Sequence, residues 1–430
     1  MEIIKKIIQT NLFKITSLNS FSVLIKIGIG LVTSKLFAVF LGPSGMALVG
    51  NFRNFMAALE GVSTLSFSPG IVKYVGENED NKKELDKIIS TVLLSFLLIA
   101  FVLSIVIFLF SDYLSLQIFG NNLQFALIFK VVAIVLPWNA ISVLFIAVIN
   151  GLGEYKKVIF ANIISNILVL ILSFGLIYSY KTLGALISIS IIPVILVFVS
   201  AYFLPQDLHI FNRFSFKKYD FKVFRNLFTF SLMILPSAIL SPFFNLQIRN
   251  FLIASVDVTS GGLWEAISRI ANIYLVFVSS IVSIYFYPKL IKAREINDSK
   301  IVVWSFYKFI FPLFVTGAIV VYFFRFVIVK ILFTNAFLPV TDLFFWQLIG
   351  DVFKVAGMIL GFQLLAKKSI IPYISFELVS FFSLYFLSLF FIKKVGLEGV
   401  VIAQAMENLI YLIILIFYFR KDFFLMSDRL

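Results

Sequence analysis

"PQDLHIFNRFSFKKYDFK", residues 205–222, organises the reading of this chain. It is the longest polar interruption between apolar segments, and it carries Arg213, Lys217, Lys218 and Lys222. Nearly equal lengths of chain lie on either side. Both sides are too apolar for a soluble domain. The chain is 61% hydrophobic and 13% charged, with a mean hydropathy of +1.05. Soluble domains run at roughly half apolar and a quarter charged.

Crossing a bilayer core takes about 20 apolar residues per helix. The chain reads as twelve such segments: 18–41, 44–73, 88–110, 124–149, 158–178, 183–204, 226–254, 262–288, 301–324, 339–366, 370–392 and 397–419. Turn-forming or polar runs separate them, such as "LGPSG" at 41–45, "GENEDNKKELD" at 76–86, "NGLGEYKK" at 150–157 and "TSGG" at 259–262. Charge tests the count. With the N-terminus in the cytoplasm, the inner segments are 1–17, 74–87, 150–157, 205–225, 289–300, 367–369 and 420–430. They hold 22 of the 36 Lys and Arg, whereas the outer loops hold only Lys181, Arg325, Lys330, Lys393 and Lys394. Cytoplasmic loops carry such an excess. The asymmetry supports twelve spans, places both termini in the cytoplasm and accounts for most of the net charge of +14. Nucleic acid is excluded as a partner, because no soluble basic face is legible.

The expected fold class is therefore an all-α membrane protein with twelve transmembrane helices in two six-helix lobes around a central cavity. Its expected parts are a cytoplasmic amphipathic N-terminus at 1–17, an N-lobe at 18–204, a cytoplasmic linker at 205–225, a C-lobe at 226–419 and a cytoplasmic tail at 420–430. "MEIIKKIIQTNLFKIT" at 1–16 lacks a continuous apolar run with a cleavage site. It reads as a basic segment lying on the inner leaflet. The halves resemble each other: "EYKKVIFANIISNILVLILSF" at 154–174 matches "LAKKSIIPYISFELVSFFSLY" at 365–385, and "TLGALISI" at 182–189 matches "GLEGVVIA" at 396–403. Repeats of six helices share orientation, with a cavity between them.

Nine cations fall inside spans. Lys73 and Lys308 lie near inner ends and can snorkel. The others are Lys26, Lys35, Arg53, Lys130, Arg249, Arg269 and Lys354. A central Lys or Arg costs about 2.5–3.5 kcal/mol to insert, so these seven are expected to face a wet cavity or partners and to bind an anionic substrate. Glu60, Glu265 and Asp351 are expected to pair with them or to couple an ion. Asn245, Asn272 and Gln347 extend the polar stripes by helical spacing. Asp351 and Lys354 read as a partly neutralised pair, with a purely structural clamp as the plain alternative. Lys26 and Lys35 are half a turn out of phase. They share a face only where Gly28 or Gly30 distorts the helix or one of them snorkels. Asp342, Glu377 and Glu407 have no basic partner nearby in sequence, so they are structural or pair across helices.

There is no cysteine and one histidine, His209. Thiol chemistry and Cys- or His-based metal sites are excluded, and no metal or cofactor is expected. "GIGLVTSK" at 28–35 lacks the spacing of a phosphate-binding loop. Loops of about 20 residues at most leave no room for a soluble catalytic domain, so an enzyme is not expected. Trp138, Trp264 and Trp346 read as interfacial anchors. The rival readings are a cation-coupled drug exporter of the same fold, a membrane polymerase or ligase, and a scaffold in glycan assembly.

Four blocks carry a resemblance: "VLIKIGIGLVTSKLFAVFLGPSGMALVGNFRNF" at 23–55, "GIVKYVGE" at 70–77, "LWEAISRIANIYLVFVSSIVSIYFYPKL" at 263–290 and "DLFFWQLIGDVFKVAGMILGFQLLAKKS" at 342–369. They resemble Wzx-type O-antigen translocases, in the lipid III flippase branch of the polysaccharide exporter group of the multidrug/oligosaccharidyl-lipid/polysaccharide exporter superfamily. The resemblance implies alternating access and an undecaprenyl-pyrophosphate-linked oligosaccharide as cargo, moved from the inner to the outer leaflet of a bacterial inner membrane. It implies membrane lipid, a glycan polymerase and a chain-length regulator as partners, and a monomer. Lys26, Arg53, Glu60, Glu265, Arg269, Asp351 and Lys354 fall within these blocks. Lys130 and Arg249 rest on charge alone.

Overall fold

A computed structural model describes residues 11–120, 122–204, 215–293 and 295–424, without the side chains of 11–23, Phe230 and 423–424. The expected segment at 1–10, His209 with most of the central loop, and 425–430 lie outside the described residues. The helices are α1 Asn11–Ser63, α2 Ser68–Glu77, α3 Lys82–Leu109, α4 Ser111–Ile118, α5 Ala126–Gly151, α6 Tyr155–Phe203, α7 Phe221–Ser231, α8 Leu235–Ser255, α9 Val258–Ile281, α10 Tyr287–Lys292, α11 Ile296–Phe323, α12 Arg325–Leu332, α13 Val340–Ala366, α14 Ile370–Val395 and α15 Glu398–Phe419. No strand occurs among the described residues.

Nine helices among the described residues are long and apolar enough to cross a membrane. Two are far longer than one crossing needs: Leu24–Glu77 has 54 residues and Tyr155–Phe203 has 49. At 1.5 Å per residue even the shorter runs about 74 Å, against a hydrocarbon core of about 30 Å. Each breaks inside, at Gly42 (φ 64°) and at Lys181 (φ 48°). Two expected spans are interrupted instead. The segment at 44–73 is cut where Leu65 and Ser66 take positive φ. The segment at 226–254 is split into α7 and α8, and α8 is not among the nine. Pro236 opens the first turn of α8, where a missing N–H costs nothing, so the chain restarts there.

Local signals set the helix starts. Asn81, Asp220 and Asp257 accept backbone N–H bonds at the N-termini of α3, α7 and α9. Each satisfies donors that a helix start leaves open. The end of α9 widens into a π turn, Val282–Phe286, directly before Pro288 opens α10.

The chain divides into two compact units. Unit 1 is 1–40 with 51–243, and unit 2 is 41–50 with 244–430. In unit 1, Phe52, Phe55, Phe119, Phe125 and Phe129 form a continuous ring cluster. Asn51 donates to Ile118 O at 2.8 Å, tying α1 to the end of α4. Gly151 lies against Val72 and Val75, which brings α5 onto α2. In unit 2 the core joins α9, α11, α13 and α15 through Val278, Phe306, Ile359, Leu360 and Leu415. Gly350 meets the Ala405 backbone so closely that a methyl group there would stand 2.9 Å from Ala405 Cα. Close backbone approach at small residues is how helices associate in lipid.

The internal repeat reappears as one turn made twice. In unit 1, Lys181 has φ 48° and ψ −123°, and three residues later Gly184 abuts Leu176 O. In unit 2, Gly396 has φ 67° and ψ −133°, and three residues later Gly399 abuts the Phe391 carbonyl. The equivalence is Lys181 with Gly396, one residue away from the alignment that hydropathy alone supports. A slip of one residue changes hydropathy little, but it would put a side chain into the backbone eight residues earlier. Lys181 holds a conformation that suits glycine. Lys181→Gly is expected to stabilise the protein by about 1 kcal/mol, the low end of the cost of such strain, read as a higher melting temperature in detergent.

Candidate functional site

The expected site residues differ in exposure. Four of the seven expected substrate-binding cations, Lys26, Arg53, Lys130 and Lys354, are exposed, as are Glu60 and Asn272. Lys35 and Asn245 are partly buried. Helix α1 runs unbroken through Gly28 and Gly30, and its only non-helical residue is Gly42. Nothing brings Lys26 and Lys35 into phase, so they occupy different faces. Lys130 lies 5.9 Å from the Phe108 ring centroid.

Arg249, Glu265 and Arg269 do come together, in unit 2. Arg249 Nη2 donates to Glu265 Oε2 at 2.8 Å, and Arg269 Nε donates to Glu265 Oε1 at 2.9 Å. The three residues are 3%, 7% and 9% exposed. Two guanidiniums thus share one buried carboxylate. The Arg249 guanidinium also stands 4.9 Å from the Trp264 ring centroid, a favourable cation–π distance. Trp264 is therefore a core residue here, although the sequence suggests an anchor. Gly50 completes the site: a methyl group on it would lie 2.3 Å from Arg249 Nη1 and 2.5 Å from Glu265 Oε2. Helical spacing pairs Glu265 with Arg269, but only the fold brings in Arg249 and Gly50. Asn272, on the same sequence stripe, points away.

A second group surrounds Asp351. Its carboxylate accepts from the Tyr274 hydroxyl and from Gln347 Nε2 at 3.1 and 3.2 Å. Lys354 makes no ion pair with it within 4 Å; it is exposed, and its charge acts on both Asp351 and Glu407. The expected Asp351–Lys354 pair is thus replaced by hydroxyl and amide donors. A spacing of four keeps Gln347 and Asp351 on the buried face, whereas Lys354 points out. Nearby, Ser380 donates to Glu407 and the Tyr411 hydroxyl donates to Glu377 at 3.1 Å. Glu377 and Glu407 do bond across helices, between α14 and α15, each accepting from a hydroxyl. Tyr274, Ser380 and Tyr411 escape a sequence reading because neutral hydroxyls carry no charge signal. Among the described residues no cluster of His, Cys, Asp or Glu could hold a metal ion.

Comparison with known proteins agrees with this architecture. A family model described as "Polysaccharide biosynthesis protein" matches residues 12–294. The lipid III flippase of Escherichia coli (strain K12) is 29% identical over 393 residues, covering 91% of this chain and 94% of its own. Among solved structures, an inward-facing MATE family transporter of the MOP superfamily superposes with a TM-score of 0.79 at 15% identity, over 93% of this chain and 94% of its own. The lipid II flippase MurJ superposes with 0.71 at 17% identity, over 95% and 89%. Those two likenesses show that this chain shares the fold of these two structures. With the family model covering 12–294, about two thirds of its length, this chain belongs to the polysaccharide biosynthesis protein family.

Proposed function

We propose that this protein is a flippase. It carries a polyprenyl-pyrophosphate-linked oligosaccharide, an O-antigen repeat unit or a related glycan, from the inner to the outer leaflet of the bacterial inner membrane. In this reading the chain makes twelve crossings: each of the two overlong helices counts as two spans and α8 as a further one. Residues 18–204 and 226–419 act as two lobes that alternate access, both termini are cytoplasmic, and the protein works as a monomer. A glycan polymerase and a chain-length regulator act on what it delivers.

The supporting observation is the exposure of Lys354 midway along the apolar helix α13. Facing lipid, such an ammonium costs about 2.5–3.5 kcal/mol. Water and a visiting anion remove that cost. Lys26, Arg53 and Lys130 are likewise exposed in spanning helices of unit 1. When a pyrophosphate loses its water, charged N–H donors replace it. In unit 2, Arg249 and Arg269 are further cationic donors, held by Glu265 between visits. The polyprenyl tail stays in membrane lipid. The likeness to the E. coli lipid III flippase across 91% of the chain points to the same cargo class. The test is transport in proteoliposomes, where Lys354→Ala is expected to lose most of the rate and Lys354→Arg to keep part of it. A wild-type rate in Lys354→Ala removes this residue from the path.

A second reading has its own observation. Around Lys354 the carboxylates Asp351 and Glu407 outnumber the cation, which suits a cation-coupled exporter of small molecules. Changed drug susceptibility without any glycan defect favours that reading.

A further inference from the structure

Unit 1 contains a cavity of about 630 Å³ that no intramembrane cation touches. Ser66, Ser68, Asn162, Ser142 and Glu60 supply its polar wall, while Ala57, Pro69 and Pro242 supply flat apolar surface. No lysine or arginine lines it. The Ser142 hydroxyl is committed to Asn139 O. The side chains of Ser66, Ser68, Asn162 and Glu60 make no hydrogen bond within the protein among the described residues. Four uncommitted polar groups on one wall are costly in a dry setting, because each forfeits its hydrogen bonds to water. At the rim, Leu65 and Ser66 hold φ of 48° and 50°. Two adjacent non-glycine residues in this region store strain, which collects at ligand sites.

We propose that this cavity is a carbohydrate subsite for an uncharged sugar residue of the cargo, with none of the pyrophosphate-binding cations in its lining. The chemistry follows from the wall. Hydroxyls and an amide exchange donors and acceptors with sugar hydroxyls, and the Glu60 carboxylate accepts from two of them. The volume falls within the roughly 300–1,000 Å³ of small-molecule sites. The same carboxylate, with no cation on the wall to offset it, repels a uronic acid or a phosphate. The cavity therefore selects neutral or N-acetylated sugars. This inference rests on the flippase reading for the nature of the cargo and adds to it where the glycan is read.

The test measures affinity on the full-length protein in nanodiscs with three probes: bare undecaprenyl pyrophosphate, the same lipid carrying N-acetylglucosamine, and the same lipid carrying glucuronic acid. N-acetylglucosamine is expected to tighten binding about tenfold over the bare lipid, the effect of one or two net hydrogen bonds. Glucuronic acid is expected to bring no gain. Ala57→Phe fills the cavity and is expected to abolish the gain while binding the bare lipid like wild type. Asn162→Ala adds no bulk and is expected to lose part of the gain. Glu60→Gln is expected to admit both sugars alike. Equal affinity of wild type for bare and N-acetylglucosamine-bearing lipid overturns the subsite, as does an unchanged gain in both Ala57→Phe and Asn162→Ala. Failure of wild type to bind any of the three lipids overturns the flippase reading itself.

Discussion

Glu265→Gln is expected to lower stability by about 3–5 kcal/mol, the cost of leaving a buried charge without its partner. The carboxylate is the common acceptor for Arg249 Nη2 and Arg269 Nε, so one substitution strips two guanidiniums at once. Glutamine keeps the shape but offers one acceptor oxygen, and its amide turns two donors toward a cation. The damage spreads because the three residues fasten α8 to α9, and Gly50 sets α1 directly against them. The check is a melting curve in detergent for wild type and Glu265→Gln. A triple replacement, Arg249→Met with Glu265→Leu and Arg269→Met, separates two roles. Well-packed apolar isosteres of a buried ion triad often restore stability. They cannot receive a pyrophosphate. Recovered melting with lost transport assigns the group to transport as well as to structure. A wild-type melting point in Glu265→Gln contradicts the account of the triad.

Gly262→Ala is expected to reach or exceed the top of the roughly 1–3 kcal/mol typical of overpacking. Its added methyl would stand 1.7 Å from Pro43 O and 2.4 Å from Pro43 C. These are backbone atoms just after the kink at Gly42, so no rotamer change relieves the clash. The helix must move, and residues 41–50 are the part of α1 that belongs to unit 2. Gly317→Ala is the control. Nothing lies within 4 Å of that position, and alanine gains up to about 1 kcal/mol over glycine in a helix. A destabilised Gly262→Ala beside a neutral or stabilised Gly317→Ala supports the packing. Two equal melting points contradict it.

Much of the fold is legible in the sequence because the bilayer imposes one rule. A segment either satisfies its own backbone as an apolar helix or it does not cross. The all-helical character follows from that rule, whereas the matching turns at Lys181 and Gly396 lie one residue off the alignment that hydropathy supports. The breaks at Leu65–Ser66 and before Pro236 escape because hydropathy averages over them. A window long enough to see a span is too long to see a three-residue interruption. The candidate site is legible only where its partners share a helix. Glu265 with Arg269 and Gln347 with Asp351 are four residues apart and do meet. Arg249 with Glu265 and Tyr274 with Asp351 lie on different helices, and no spacing rule connects them. The hydroxyl wall of the unit 1 cavity escapes for a further reason. Serine and threonine are common in membrane helices, where most merely bond their own backbone, as Thr33 and Ser190 do here.

The most direct measurement is movement of an undecaprenyl-pyrophosphate-linked oligosaccharide between leaflets of proteoliposomes holding the purified full-length chain. Wild-type protein is predicted to move the glycolipid far faster than protein-free vesicles, with most of that rate gone in Lys354→Ala and partly retained in Lys354→Arg. Glycolipid that crosses wild-type and protein-free vesicles at the same rate would contradict the account.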